Sequence, residues 1–154
     1  MLIRRAETIY DIDKMIELGA QMHADSRFAS MPYDKVKLRS YGHLALGKPD
    51  DWGVFIAEDK TGEVQAMIAV YVSPFYFTDE RKHTNDFFLY VAKGKRGGIA
   101  AARCVKAVEA WAAEVGVNEI QFGITAGIDD DAAERLYRGL GYNTTGRIMT
   151  KGVQ

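Results

Sequence analysis

Phe87-Phe-Leu-Tyr-Val-Ala-Lys-Gly-Lys-Arg-Gly-Gly-Ile-Ala-Ala-Ala-Arg103 runs from an apolar, aromatic stretch through a glycine-bearing turn into a helix-forming run. A buried strand over Asp86 to Val91 that passes at once into a turn and a long helix makes an anion site. The free amides of the first helical turn point outward, and the helix dipole adds partial positive charge. Residues without a bulky Cβ let a phosphate approach the backbone. Gly97, Gly98, Ala100 and Ala101 meet that need, while Lys95 and Arg96 add full charge and a planar fork suited to phosphate oxygens. Pyrophosphate is the natural guest. Neither G-x-x-x-x-G-K-[ST] nor G-x-G-x-x-G occurs, so the loop is neither a P-loop nor a dinucleotide fingerprint.

Outward from this segment, the long helix carries the apolar stripe Ala101, Cys104, Val105, Val108, Trp111, Ala112 and Val115, and Gly116 closes it. Upstream, Trp52 to Glu58 and Val64 to Phe77 are rich in β-branched and aromatic residues, and Asp59-Lys-Thr-Gly62 between them is turn chemistry. They predict a hairpin. At the start of the chain, Leu2 to Thr8 reads as a strand. Asp11 then caps a helix with Ile12, Met15, Ile16, Gly19 and Met22 on its apolar face. A second helix is expected from Tyr33 to Leu46, burying Val36 and Leu44. Downstream, a strand over Glu119 to Thr125, a helix over Asp129 to Leu140 and a strand over Thr144 to Val153 complete the predicted order β-α-α-β-β-β-α-β-α-β.

The 154 residues fit one domain, and no repeat or linker divides them. Hydrophobic residues at 47% and charged residues at 27% are ordinary for a packed globular chain. A net charge of −1 gives no overall attraction to nucleic acid or anionic lipid. Neither a membrane span nor a signal segment is read, and the single cysteine excludes an internal disulfide. A cytoplasmic, reducing setting is expected.

The loop Lys95-Arg-Gly-Gly98-Ile-Ala100 resembles the pyrophosphate loop of the GNAT superfamily of acetyl-CoA-dependent N-acetyltransferases, [Q/R]-x-x-G-x-[G/A] between a strand and a long helix. Lys95 stands where Gln or Arg is usual, and Arg96 lies at the usual distance after Val91. A second segment, Asp130-Asp-Ala-Ala-Glu-Arg-Leu-Tyr137-Arg-Gly-Leu-Gly141-Tyr142, is similar to the family's N-x-x-A-x-x-x-Y-x-x-x-G-[F/Y], with Asp130 in place of Asn. The resemblance implies a single α/β (α+β) domain over 1–154, with a mixed, mostly antiparallel central sheet flanked by helices on both faces.

It further implies acetyl transfer from acetyl-CoA to a primary amine by direct attack in a ternary complex. Tyr90, Val91, Lys95, Arg96, Gly97, Gly98, Ile99, Ala100, Ala101, Asp130 and Tyr137 would then contact the co-substrate. An oxyanion would be met by a backbone N–H near Tyr90 or Val91, and Tyr137 would protonate the departing thiolate. Asp86 is the nominee for the base, acting through water. The alternative is a catalytically silent acyl-CoA-binding or interaction module of the same fold. A small-molecule acceptor is favoured over a protein, nucleic acid is not an expected partner, and a homodimer is left open.

Other residues read more plainly. Cys104 is a small core residue. His23, His43 and His83 lack ligand spacing, so no metal is expected. The cluster Lys93, Lys95, Arg96, Arg103 and Lys106 sits at one helix start, which cofactor phosphates explain better than nucleic acid. Glu58 reads as a solvent-facing charge. Phe75-Tyr-Phe77 could line a pocket, form a dimer contact or cover the core. Asp79, Glu80 and Asp86 are expected to flank the acceptor pocket and favour a cation.

Overall fold

The computed structural model describes residues 1–154. Its elements are β1 (Leu2–Arg5), α1 (Ile9–Asp25), α2 (Lys35–Gly47), β2 (Trp52–Glu58), β3 (Val64–Phe75), β4 (Thr78–Val91), α3 (Ala100–Glu114) and α4 (Asp130–Gly139). The four strands form one antiparallel sheet in the order β1-β2-β3-β4. Helices cover both faces. On one, Ile12 and Met15 of α1 pack on Val54, Ile56, Met67 and Ala69. On the other, Cys104, Val105, Val108 and Trp111 of α3 pack on Phe55, Ile68 and Val70. Because both faces are covered, every residue of β2 is buried, and from Trp52 to Ala57 it shows no alternation and carries no polar side chain. Gly53 lets the two layers close: a Cβ there would lie 2.6 Å from the Trp111 ring.

The start of α1 differs from expectation. Thr8 is the cap, its hydroxyl accepting the Asp11 amide, while the Asp11 carboxylate accepts the Thr8 and Glu7 amides. Strand β1 therefore ends at Arg5. The Arg4 guanidinium donates to both Asp11 oxygens, to Oδ1 at 2.6 Å and to the capping Oδ2 at 3.0 Å, and also grips Glu58 at 2.8 Å. Lys14 reaches Glu58 as well, at 3.4 Å. Glu58 is thus a buried, paired carboxylate and not a solvent-facing one. In α2 the buried residues are Gly42 and Ala45, whereas Val36 and Leu44 face solvent. Gly42 sets the helix spacing, since a Cβ would meet Ile12 at 2.3 Å.

Strand β4 begins at Thr78, well before Asp86, so Asp86 lies inside the strand opposite Val70. Its first half, Thr78 to Asn85, carries no apolar pattern and is held by backbone pairing, with β3 on one side and with Asn118 and Glu119 on the other. Phe75, Tyr76 and Phe77 form the exposed hairpin tip; Phe75 packs on Phe77 and His83, and none of the three joins either core.

Two expected strands are absent. Residues 118–123 run beside β4, but the parallel pairing is a single bridge, His83 with Glu119. Beyond it, side chains take the places of carbonyls: Thr84 Oγ1 accepts the Gln121 amide at 2.9 Å, and Asp86 Oδ1 accepts the Gly123 amide at 3.0 Å. That substitution spreads the backbones apart and ends the ladder. Residues 144–153 then have no regular edge to join and stay fully exposed, including Ile148, Met149 and Val153.

Candidate active site

The opening between β4 and the 119–128 segment positions everything that follows. No hydrogen bond joins the two beyond Asp86 and Gly123. Antiparallel pairing alternates the direction of successive amides. Ala92 donates to Gln65 in the β3 ladder, which turns the Tyr90 amide toward β3 and leaves those of Leu89 and Val91 facing the open edge. Opposite Ala69 and Val70 the register slips by one residue at Phe87. This bulge places Phe87 and Phe88 on the same side of the sheet, toward α1 and α2.

Past Val91 the chain turns through Gly94 and Gly97, both in the left-handed region with φ of 81° and 86°. Residues Lys93 to Ile99 are all exposed, and α3 then starts at buried Ala100. Ile99 offers no side-chain cap, so the first amides of α3 are unclaimed. A Cβ at Gly98 would meet nothing closer than the Lys95 carbonyl at 3.8 Å, which leaves open space beside the helix start. Arg96 folds back over the Tyr90 ring, 5.3 Å from its centre, and lies 3.6 Å from Asp25 at the end of α1. Lys93 approaches the same carboxylate at 3.4 Å. Lys95 makes no ion pair.

On the α3 side of the opening stands Tyr137, buried on α4 and stacked on Phe122 with ring centres 4.9 Å apart. Tyr142 closes the trio edge-on and donates its hydroxyl to Glu109. The Tyr137 hydroxyl has no hydrogen-bond partner in the protein, yet it is not sealed from solvent. Burial, and next the negative charge of Asp86, push its pKa above the ordinary tyrosine value. The hydroxyl is a donor at every physiological pH. Asp86 is raised too, by burial, against the lowering effect of the Gly123 amide. Cys104 is fully buried on α3 and its thiol is pushed up to about 12, which makes it no nucleophile.

The sequence profile of the Acetyltransferase (GNAT) family matches residues 13–142. This chain belongs to that family. Solved GNAT-fold structures align along its whole length. Glucosamine-6-phosphate N-acetyltransferase from Arabidopsis thaliana is 17% identical, with a TM-score of 0.75 over 99% of this chain and 98% of its own. A predicted acetyltransferase with acetyl-CoA from Clostridium acetobutylicum is 16% identical, with a TM-score of 0.78 over 99% and 96%. AAC(6')-Iy, in complex with the bisubstrate analogue CoA-S-monomethyl-acetylneamine, is 15% identical, with a TM-score of 0.77 over 99% and 97%. No curated protein sequence matches the chain.

Within this GNAT domain Ala100 and Tyr137 share the α3-side core, with Leu89 and Val91 packed against it, and Lys95 to Ile99 form the exposed approach to α3. Tyr90 contributes its ring under Arg96 rather than an edge-facing amide. Asp130 is exposed at the first turn of α4, whose cap is Asp129. Sequence reasoning missed Asp25, Phe122, Gly123 and the outward amide of Leu89. Asp25 lies 68 residues from Lys93 in sequence, and no local pattern marks it. The bulge at Phe87 likewise leaves no sequence signature.

Proposed function

We propose that the protein transfers the acetyl group of acetyl-CoA directly to a primary amine. The observation that carries this reading is the opening beside β4 together with three groups that the protein leaves unclaimed: the uncapped start of α3, the outward amides of β4 and the Tyr137 hydroxyl. The amides from Gly97 to Ala101 would cradle the pyrophosphate, with Lys95 and Arg96 adding charge and Ile99 and Asp130 at its margin. The amides of Leu89 and Val91 would bind along the pantetheine arm, and the one nearest the thioester would stabilise the oxyanion.

The acceptor arrives as an ammonium and must lose one proton before its lone pair forms the new C–N bond. Asp86, its pKa raised by burial, accepts that proton through water. As the C–S bond breaks, sulfur gains negative charge and Tyr137 donates to it. A free tyrosine is about 1.5 pK units less acidic than a thiol, or about 2 kcal/mol uphill, before burial widens the gap. The tyrosine proton is therefore replaced, as it leaves, by the surplus proton on the acylated nitrogen. The sum is one amide, one free thiol and one proton released to solvent.

No helix is long and apolar enough to cross a membrane, and we place the reaction in the cytoplasm with a small-molecule acceptor. The test follows free-thiol release from acetyl-CoA over a panel of primary amines. Amine-dependent release above hydrolysis is expected. Acetyl-CoA binding without any turnover would instead indicate a silent acyl-CoA-binding module.

A further inference from the structure

Between α1, α2 and the sheet lies a cavity of about 110 Å³, lined by sixteen residues of which fourteen are hydrophobic. The other two are Gly19 and Gly42, so no charged side chain touches it. Asp79 and Glu80 sit on the exposed half of β4, and none of Asp79, Glu80 and Asp86 lines this cavity. We propose that this cavity holds the apolar end of the acceptor and that the enzyme selects primary amines bearing one aromatic ring or an apolar group of similar size. The proposal rests on the acetyl-transfer reading and deepens it.

Position, size and rim each support this occupant. The bulge in β4 aims Phe87 and Phe88 into the cavity, while Leu89, the next residue, turns its amide to the open edge where the thioester would lie. The cavity and the thioester site are thus two sides of one strand segment. An enclosed apolar cavity of roughly 150 Å³ takes a whole benzene ring. This open-sided one of about 110 Å³ therefore admits an apolar group of no more than one ring, with part of the ring left at the rim. The rim is aromatic: Tyr41 and Phe87, 5.4 Å apart at their centres, are each about two-fifths exposed, with Trp52 and Tyr71 packed behind. Such a rim receives a ring edge-on and favours a cationic nitrogen at its face. A second ammonium or a carboxylate on the acceptor would find no partner inside.

The experiment compares kcat/KM for 2-phenylethylamine, ethylamine, 1,4-diaminobutane and the peptide Phe-Gly-Gly. Burial of one ring predicts a preference of about ten- to a hundredfold for 2-phenylethylamine over ethylamine. A similar preference for Phe-Gly-Gly would identify a peptide N-terminus, rather than a free arylalkylamine, as the source of the ring. Ala69→Leu and, from the other wall, Ala45→Leu fill the cavity; each should reduce the phenylethylamine-to-ethylamine ratio below threefold while the acetyl-CoA-induced rise in Tm persists. Equal rates for all amines, or a ratio untouched by both filling variants, would overturn the proposal and leave the void a packing defect. Binding of 2-phenylethylamine is read separately, by quenching of tryptophan fluorescence, Trp52 lining the cavity and Trp111 lying on the other face of the sheet. Quenching that both filling variants abolish, in a protein that acetylates no amine, would keep the pocket and overturn the acetyl-transfer reading alone.

Discussion

At the scale of single residues, Tyr137 separates binding from chemistry. Its ring is held by Phe122 and Tyr142, while its hydroxyl holds nothing in the protein. Tyr137→Phe should therefore leave stability and the KM for acetyl-CoA nearly unchanged and lower kcat at least tenfold, about 1.4 kcal/mol in barrier. A variant with the wild-type kcat would make Tyr137 a packing residue. Because its pKa is raised, no falling limb of the pH–rate profile below about pH 10 should belong to it. Asp25 offers a second residue-scale test, since it occupies the cations that a pyrophosphate would use. Exposed pairs of this kind are worth up to about 1 kcal/mol. Asp25→Asn should tighten acetyl-CoA binding by about two- to fivefold, as measured by titration calorimetry. Weaker binding would mean that Asp25 holds the cations in place for the ligand.

At the scale of elements, the loop between β4 and α3 was legible in the sequence because the residues that set its geometry are the ones its proposed phosphate role needs. Glycines that supply left-handed φ at Gly94 and Gly97 also clear the approach to the α3 amides. Gly98 is in an ordinary conformation, so Gly98→Glu tests charge and space without adding backbone strain. Acetyl-CoA at about 100 Kd should stabilise the wild type by about 2.7 kcal/mol, raising Tm by roughly 5–11 °C, and the variant by almost nothing. Equal shifts would remove the loop from the site. The helix closures at Gly116 and Gly141, with φ of 78° and 93°, were readable for the same conformational reason. The missing strands were not readable. Residues 119–125 have strand-like composition, but whether they join a ladder depends on Thr84 and Asp86, side chains from a distant segment that capture their amides. The charged half of β4 failed in the opposite sense, since pairing with β3 makes a strand where pattern shows none. The aromatic rim is also a tertiary product: Tyr41, Trp52, Tyr71 and Phe87 come from four elements and share no spacing.

At the scale of the whole molecule, one ionic cluster ties the first strand, the first helix and the second strand together, and it gives folding a definite pH dependence. The Arg4 hydrogen bonds hold Asp11 and Glu58 below their usual carboxylate pKa values. Between a lowered folded pKa and the unfolded value near 4, the native state binds fewer protons than the unfolded chain. Stability therefore rises with pH across that window, is complete above it, and is lost as acid protonates the pair. Asp86 has the opposite sign. Its folded pKa is raised, so above about pH 4 the unfolded state releases its proton first and the contribution of Asp86 to stability falls as pH rises. Urea unfolding at pH 3, 4, 5 and 7 should show the wild type losing stability steeply below pH 4. Asp11→Asn should be about 3 kcal/mol less stable at pH 7, near the low end for a broken buried pair, because the Arg4 side chain keeps 32% of its surface exposed. It should also lose part of the acid slope. Asp86→Asn, which retains an oxygen for the Gly123 amide, should equal or exceed wild-type stability at pH 7 while turning over amines more slowly. Loss of stability in Asp86→Asn at neutral pH would show that the carboxylate serves to hold the 119–123 segment against β4, and would withdraw Asp86 from the chemistry.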